Sequence, residues 1–288
     1  MTQMIARRPE NRARRAARAG ENLPPGMERR GKRSFFSRYQ RPLLGTLGIV
    51  IVIAAWQIAA SAGWVNVQFT SSPWQVAQAG WDYVRTQAFL DDLEASSRDF
   101  LVGFVIGVAA GILVGLVMGW YRRVGSLLDY GVTFAYAAPR VALIPLLIVW
   151  FGIGSTASIA MVILMTFFPA LVNTVSGVNS IDHNLVEMAK SMNVRGWRLF
   201  RTVLLPGSVP SIMSGVRLAV GTGLIGMVIA EFQASTQGLG YMIANAGSNF
   251  ETAQVFVGVV IVSLIGVILT QLARMLERHF DRWRPARG

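Results

Sequence analysis

Long stretches without charge constrain this chain more than any other feature. No Asp, Glu, Lys or Arg occurs between Arg41 and Asp82, and the same holds for residues 100–121, 141–181, 218–230 and 252–273. A helix that crosses the hydrocarbon of a bilayer needs roughly 20 mostly apolar residues. A soluble domain intersperses its charges, so these stretches read as membrane spans. The run from Val141 is too long for one helix, and Trp150-Phe151-Gly152-Ile153-Gly154-Ser155 divides it with two glycines and an interfacial aromatic pair. Six spans are expected, at about 43–60, 99–120, 127–150, 156–178, 211–231 and 252–273. The expected fold class is an all-α polytopic bundle. Between 64 and 98, Ser71-Ser72-Pro73 opens a stretch with apolar residues at Trp74, Val76, Trp81 and Val84, which reads as a helix lying at the outer surface.

A net charge of +12 would suggest nucleic acid as the partner of a soluble protein, but the 27 Lys and Arg alternate by loop. Twelve lie in residues 1–42, two at Arg122 and Arg123, four between Lys190 and Arg201, and five from Arg274 to Arg287. The segment 61–99 has only Arg85 and Arg98 against Asp82, Asp91, Asp92, Glu94 and Asp99. By the positive-inside rule both termini are expected in the cytoplasm, and that segment outside. The partner implied for the basic residues is anionic membrane lipid, with no nucleic acid. Residues 1–42 lack apolar periodicity and are expected to be a disordered basic tail that attracts lipid or simply sets topology. The membrane-spanning domain is expected at 43–274, with a second basic tail at 275–288. The run Leu43–Ala60 is long for a signal peptide and its basic flank too extended, so it reads as a span.

Glycines at 103, 107, 111, 115 and 119 line one slowly winding ridge of the second span, which lets another helix approach closely. Packing within the chain is the expected use of that ridge, with a dimer seam or hinge as the alternatives. Enzymatic readings fail. The only histidines, His183 and His279, sit at cytoplasmic ends without metal-ligand spacing, and no Gly-x-x-x-x-Gly-Lys-Ser/Thr cradle occurs. No catalytic or metal-binding residue is expected, and no cofactor in this chain. Without cysteine there is neither a disulfide framework nor a thiolate site.

The most informative segment is the cytoplasmic loop from about 181 to 210. Leu185, Met188, Ala189 and Met192 recur at helical spacing, and Val194, Trp197, Leu199 and Phe200 resume after Asn193. Two short helices with a bend are expected, the bend at Asn193, because Asn enters the left-handed conformation readily. Pro206 and Pro210 are expected to stop the second helix before span five.

At these residues the sequence resembles a known family. Glu187, Ala189 and Pro206 are similar to the Glu-Ala-Ala loop of binding-protein-dependent ABC importer permeases. The stretch from Pro145 to Gly154, Gly215-Val216-Arg217, Ala230-Glu231 and Gly238-Leu239-Gly240-Tyr241 resemble its nitrate, sulfonate, taurine and bicarbonate branch. The likeness covers about 43–274 and departs from the motif at Met188, where alanine is usual, and at Asn193, where glycine is. The resemblance implies a type I ABC importer-like permease in the bacterial inner membrane. It further implies a second copy of the chain, two ATP-binding subunits that hold ATP and magnesium, and an external solute-binding protein. The loop would be the coupling helix, with Glu187, Ala189, Asn193, Arg198 and Pro206 as its marked positions. The solute would be a small anion such as a sulfonate, taurine or nitrate, although a neutral or cationic one stays open within the branch.

One ionisable residue, Arg140, lies clearly mid-span, with Arg217 and Glu231 nearer the ends of the fifth span. Arg140 follows Pro139 about midway along the expected third span, and Glu231 lies near the end of the fifth. Intramembrane charges face a bundle interior or a wet cavity. Either the two form a structural pair, or Arg140 uses carbonyls freed by Pro139, or both residues line a translocation path. A stand-alone secondary carrier or channel is the rival function, and a scaffold without transport would not require the loop. Carriers of that kind often have several buried ionisable groups, and few are found in this chain.

Overall fold

The computed structural model describes residues 35–280, with side-chain surroundings from Leu44 to Arg278. The chain divides into two units, residues 1–56 and 57–288. The first contributes most of α1, Phe35–Ser61, a helix of 27 residues whose stretch from Leu44 to Ala55 is apolar except for Thr46. The expected disordered tail therefore stops short of residue 42, because helix begins at Phe35. Its first 34 positions lie outside the described residues.

In the second unit, α2 (Val67–Thr70) and α3 (Pro73–Val84) precede the spans. The Ser72 hydroxyl accepts the Gln75 N–H at 3.3 Å, and Pro73 occupies the first turn, where its missing N–H is no loss. The long helix α4, Gln87–Trp120, starts at a Thr86 cap. Its 34 residues extend about 51 Å at 1.5 Å per residue, well beyond a hydrocarbon core of about 30 Å. The turns carrying Asp91, Asp92 and Glu94 thus project past the apolar part.

After α4 come α5 (Arg122–Ala137), a 3₁₀ turn (Arg140–Leu143) and α6 (Ile144–Phe151). The expected continuous third span at 127–150 is corrected: α5 ends at Ala137, and the two halves meet at 87°. Pro139 explains the break. It has no N–H to bond the preceding turn, and it forces Ala138 into an extended conformation with φ −63° and ψ 141°. The expected turn at Gly152 and Gly154 is present, both with positive φ (79° and 133°).

Helix α7, Ser155–Asn179, is the central post. The glycine ridge of α4 lies against it: a Cβ on Gly107 would stand 2.7 Å from the Ile163 carbonyl oxygen, and one on Gly115 2.9 Å from that of Leu171. Packing within the chain is therefore what the ridge serves. Helix α10, Leu205–Ala234, also approaches α7, through Gly215 and Gly226. Phe100, Val162, Val220, Leu224 and Met227 fill the space among the three helices. One end of the bundle is covered by α11, Leu239–Ser248, and the N-terminal half of α10 is pinned to α12, Thr252–Phe280. That pin is an ion pair from Arg217 to Glu277 at 2.6 Å, with the Ser214 hydroxyl on the same carboxylate. Because α12 continues to Phe280, residues 275–280 belong to the last helix rather than to a tail, and 281–288 lie outside the described residues. Among the described residues, five helices are long and apolar enough to cross a membrane, and six spans result if the bent pair counts as one.

Candidate functional site

The loop after α7 is built from the two helices expected, α8 (His183–Ser191) and α9 (Gly196–Leu199). Both ends of α8 are capped by its own sequence. The Asp182 carboxylate accepts the Asn184 N–H at 2.8 Å. At the other end Asn193 adopts φ 62°, its N–H bonds the Lys190 carbonyl at 2.9 Å, and the Val194 N–H bonds the Ala189 carbonyl at 3.0 Å. That pair of bonds is a Schellman ending, which a left-handed residue makes possible. Ala189 and Asn193 therefore shape the loop. Asn193→Gly should melt within about 1 kcal/mol of the parent, whereas Asn193→Val should cost about 1–2 kcal/mol, because a β-branched residue resists that conformation. Equal melting temperatures for the two variants in detergent would contradict this account.

Glu187 projects from the middle of α8 and is exposed. It bonds only within its own helix, to Lys190 at 3.0 Å and His183 at 3.7 Å. The Lys190 hydrogen bond holds its carboxyl below the usual carboxylate range. Met188, Met192 and Trp197 are 59%, 75% and 70% exposed, and Arg195 and Arg198 stand among them. The loop thus presents an apolar and basic surface around the acids Asp182 and Glu187.

Beyond α9 the expectation for the prolines is corrected. The chain does not stop at Pro206 or Pro210: α9 passes into a π turn, Phe200–Leu204, and then into α10 without a gap. The Leu205 N–H reaches back to the Phe200 carbonyl, and Pro206 falls in the first turn of α10, where no N–H is required. Residues 196–234 form one helical run of 39 residues. A second link is invisible in the sequence. Trp197 stacks on Phe200 at 5.0 Å, and Phe200 meets Trp120 edge-on at 5.1 Å, so the loop grips the C-terminal end of α4. Trp120 stands so far from the other two along the chain that no spacing signal could have exposed this contact.

Near the C-terminal end of α10, Glu231 is 1% exposed and does not meet Arg140. Its carboxylate accepts the Ser96 hydroxyl at 2.8 Å and the Gly240 N–H at 2.7 Å. The Ser96 oxygen in turn accepts the Leu239 N–H at 2.8 Å, and Asp92 accepts the Gly238 N–H and the Tyr83 hydroxyl at 2.8 and 2.7 Å. Burial and the bond to Asp92 raise the Tyr83 phenol well above its usual range. A knot of polar groups thus joins α3, α4, α10 and α11. Arg140 stands apart at the break, with Tyr136 and Phe168 rings 5.1 and 5.7 Å from its guanidinium carbon.

A bundle of apolar helices, an internally capped loop and an unbroken run from that loop into a span define a membrane-spanning transport subunit. The crystal structure of an amino acid ABC transporter with histidines shares the fold, with a TM-score of 0.52 at 15% identity over 66% of this chain and 91% of that one. The chain belongs to the binding-protein-dependent transport system inner membrane component family, whose model matches residues 107–282. It is 41% identical over 235 residues to the "Putative aliphatic sulfonates transport permease protein SsuC" of Escherichia coli K12, a match that covers 82% of this chain and 89% of the relative. The taurine transport system permease protein TauC of the same organism is 30% identical over 83% of this chain and 88% of its own length. The riboflavin transport system permease protein RibX of Chloroflexus aurantiacus is 34% identical over 86% and 93%. The chain is accordingly an inner-membrane, multi-pass permease.

Proposed function

We propose that this permease carries a small organic anion of the sulfonate or taurine type inward, driven by ATP hydrolysis in two separate subunits and supplied by an external solute-binding protein. The observation that carries the reading is the lever: α8 is capped at both ends, its exposed face has no partner among the described residues, and the helical run 196–234 connects it to the core. Closure of a nucleotide sandwich must move a rigid element joined to the spans, and this run meets that need. In the proposed complex Glu187 and Arg198 contact the ATPase, with Lys190, Arg195 and Arg201 meeting acidic residues or lipid phosphate. The names of the sulfonate and taurine relatives support the solute class. The riboflavin relative indicates that family membership alone leaves it open.

A second copy of the chain completes the path. Helix α5 buries no residue, and its Leu127, Tyr130 and Phe134 are 79%, 85% and 80% exposed, an apolar face suited to a partner span. Arg140 lines the path, and Glu231 braces its outer wall. Both termini are cytoplasmic, as the charge alternation requires.

The test is uptake of radiolabelled ethanesulfonate and taurine in proteoliposomes holding this chain, its ATPase and its binding protein. Glu187→Lys should leave the subunit in the membrane and lower solute-stimulated ATP hydrolysis by about tenfold or more, as loss of a charge-assisted contact implies. Parental transport by that variant would remove the role given to Glu187. Uptake at the full rate without ATPase subunits would favour a stand-alone carrier or channel.

A further inference from the structure

The break in the third span produces a positive site that no carboxylate among the described residues neutralises. At Pro139 the chain turns through 87° and restarts at Arg140, so a cationic residue occupies the first position of the 3₁₀–α6 run. The first N–H groups of such a run have no helical carbonyl ahead of them, and the end carries partial positive charge. The Arg140 Nη1 atom is buried and has no hydrogen-bond partner. No ion pair reaches it among the described residues, and the buried carboxylates of the bundle are engaged elsewhere: Glu231 with Ser96 and Gly240, Asp99 with Arg98. The Tyr136 and Phe168 rings flank the guanidinium.

A guanidinium cannot shed its proton to escape burial. Leaving the buried Nη1 donors unmade costs free energy that an anion would recover. Broken membrane helices place their half-helix N-termini toward anionic solute groups for the same electrostatic reason.

We propose that Arg140, at the N-terminal end of the broken half of span three, binds the anionic head of the solute inside the membrane, and that Tyr136 and Phe168 favour an organic sulfonate or carboxylate over an inorganic anion. The proposal rests on reading the chain as a solute-conducting subunit. The planar fork engages two oxygens of the head group, which a lysine cannot match. An inorganic anion must lose its whole hydration shell to enter, whereas an alkyl tail gains by leaving water and lying against the rings.

Equilibrium binding of radiolabelled butanesulfonate to the assembled permease–ATPase complex, without the external binding protein, tests the site directly. Saturable binding should appear in the parental complex, tighten by up to about fourfold per methylene from ethane- to hexanesulfonate, and be competed far more weakly by nitrate. The neutral analogue butyl methyl sulfone should not compete. Arg140→Gln should weaken binding by about tenfold or more, and Arg140→Lys should retain an intermediate affinity. If Arg140→Gln is not recovered as folded protein, phenylglyoxal modification of Arg140 in the parental complex reads the same contact, and butanesulfonate should slow it while the sulfone does not. Undiminished binding in Arg140→Gln, no saturable binding by the parental complex, equal competition by sulfone and sulfonate, or modification unaffected by sulfonate would each overturn the proposal. Binding that depends on Arg140 in a chain that neither couples to ATP nor transports would refute the importer reading and leave this site standing. ATP-driven uptake without such binding would refute the site alone.

Discussion

Gly111→Leu should leave almost no folded permease in the membrane. At residue 111 even a Cβ would stand 2.4 Å from the Phe167 carbonyl oxygen and 2.9 Å from the Ala170 Cβ, and the backbone atom cannot rotate away. Overpacking of this kind costs about 1–3 kcal/mol when neighbours can shift, and more when they cannot. In this bundle α4 and α7 would have to separate along the seam that holds its centre. Gly221→Ala is the control. It lies in α10 with nothing within 4 Å, so it should be neutral or gain up to about 1 kcal/mol from helix propensity. Yield of monodisperse protein in detergent and its melting temperature decide the matter. Parental values for Gly111→Leu would mean that α4 does not lie on α7 in the membrane.

Glu231→Ala carries the next largest expected effect. The Ser96 hydroxyl and the Gly240 N–H would lose their acceptor in a site closed to water, at about 1–3 kcal/mol for each stranded donor. Gly238 and Gly240 enclose the carboxylate so closely that a Cβ on either would sit 2.7 Å from Glu231 atoms, so no larger neighbour can fill the void. A fall in melting temperature should be accompanied by faster proteolysis in the link between α10 and α11. Glu231→Gln should lie between parent and Ala, because its amide keeps one acceptor oxygen but turns a donor toward other donors. Should Glu231→Ala melt like the parent, the knot would not be what holds α11 on the bundle.

The positions legible in the sequence share a local cause. Asn193 is readable because the left-handed conformation belongs to the residue's own backbone, and the turn at Gly152 and Gly154 for the same reason. The glycine ridge is readable because its four-residue spacing repeats on one helix. The break at Pro139 has a signal, but one proline in an apolar run equally suits a kinked or an interrupted helix, and the neighbouring helices decide between them. Pro206 and Pro210 mislead in the opposite sense: the π turn at Phe200–Leu204 absorbs the first, and α10 carries the second within its length. The short helix α11 has no comparable signal. Its apolar residues are buried by α3 and α12, and α3 is far from it in sequence.

The sequence by itself determined that this chain enters a membrane, roughly how often it crosses, which loops carry positive charge and where the capped loop helix bends. Hydrophobic length, charge alternation and backbone preference are properties of short segments, and the bilayer rewards them one segment at a time. Only the tertiary structure decided that Glu231 is held by Ser96 and Gly240 while Arg140 has no counter-charge among the described residues, and that Trp197, Phe200 and Trp120 tie the loop to α4. Those outcomes depend on which groups meet across as many as 135 residues of chain. A buried polar group takes whichever partner packing brings within hydrogen-bond reach, about 3 Å, and no periodicity along the chain records that choice.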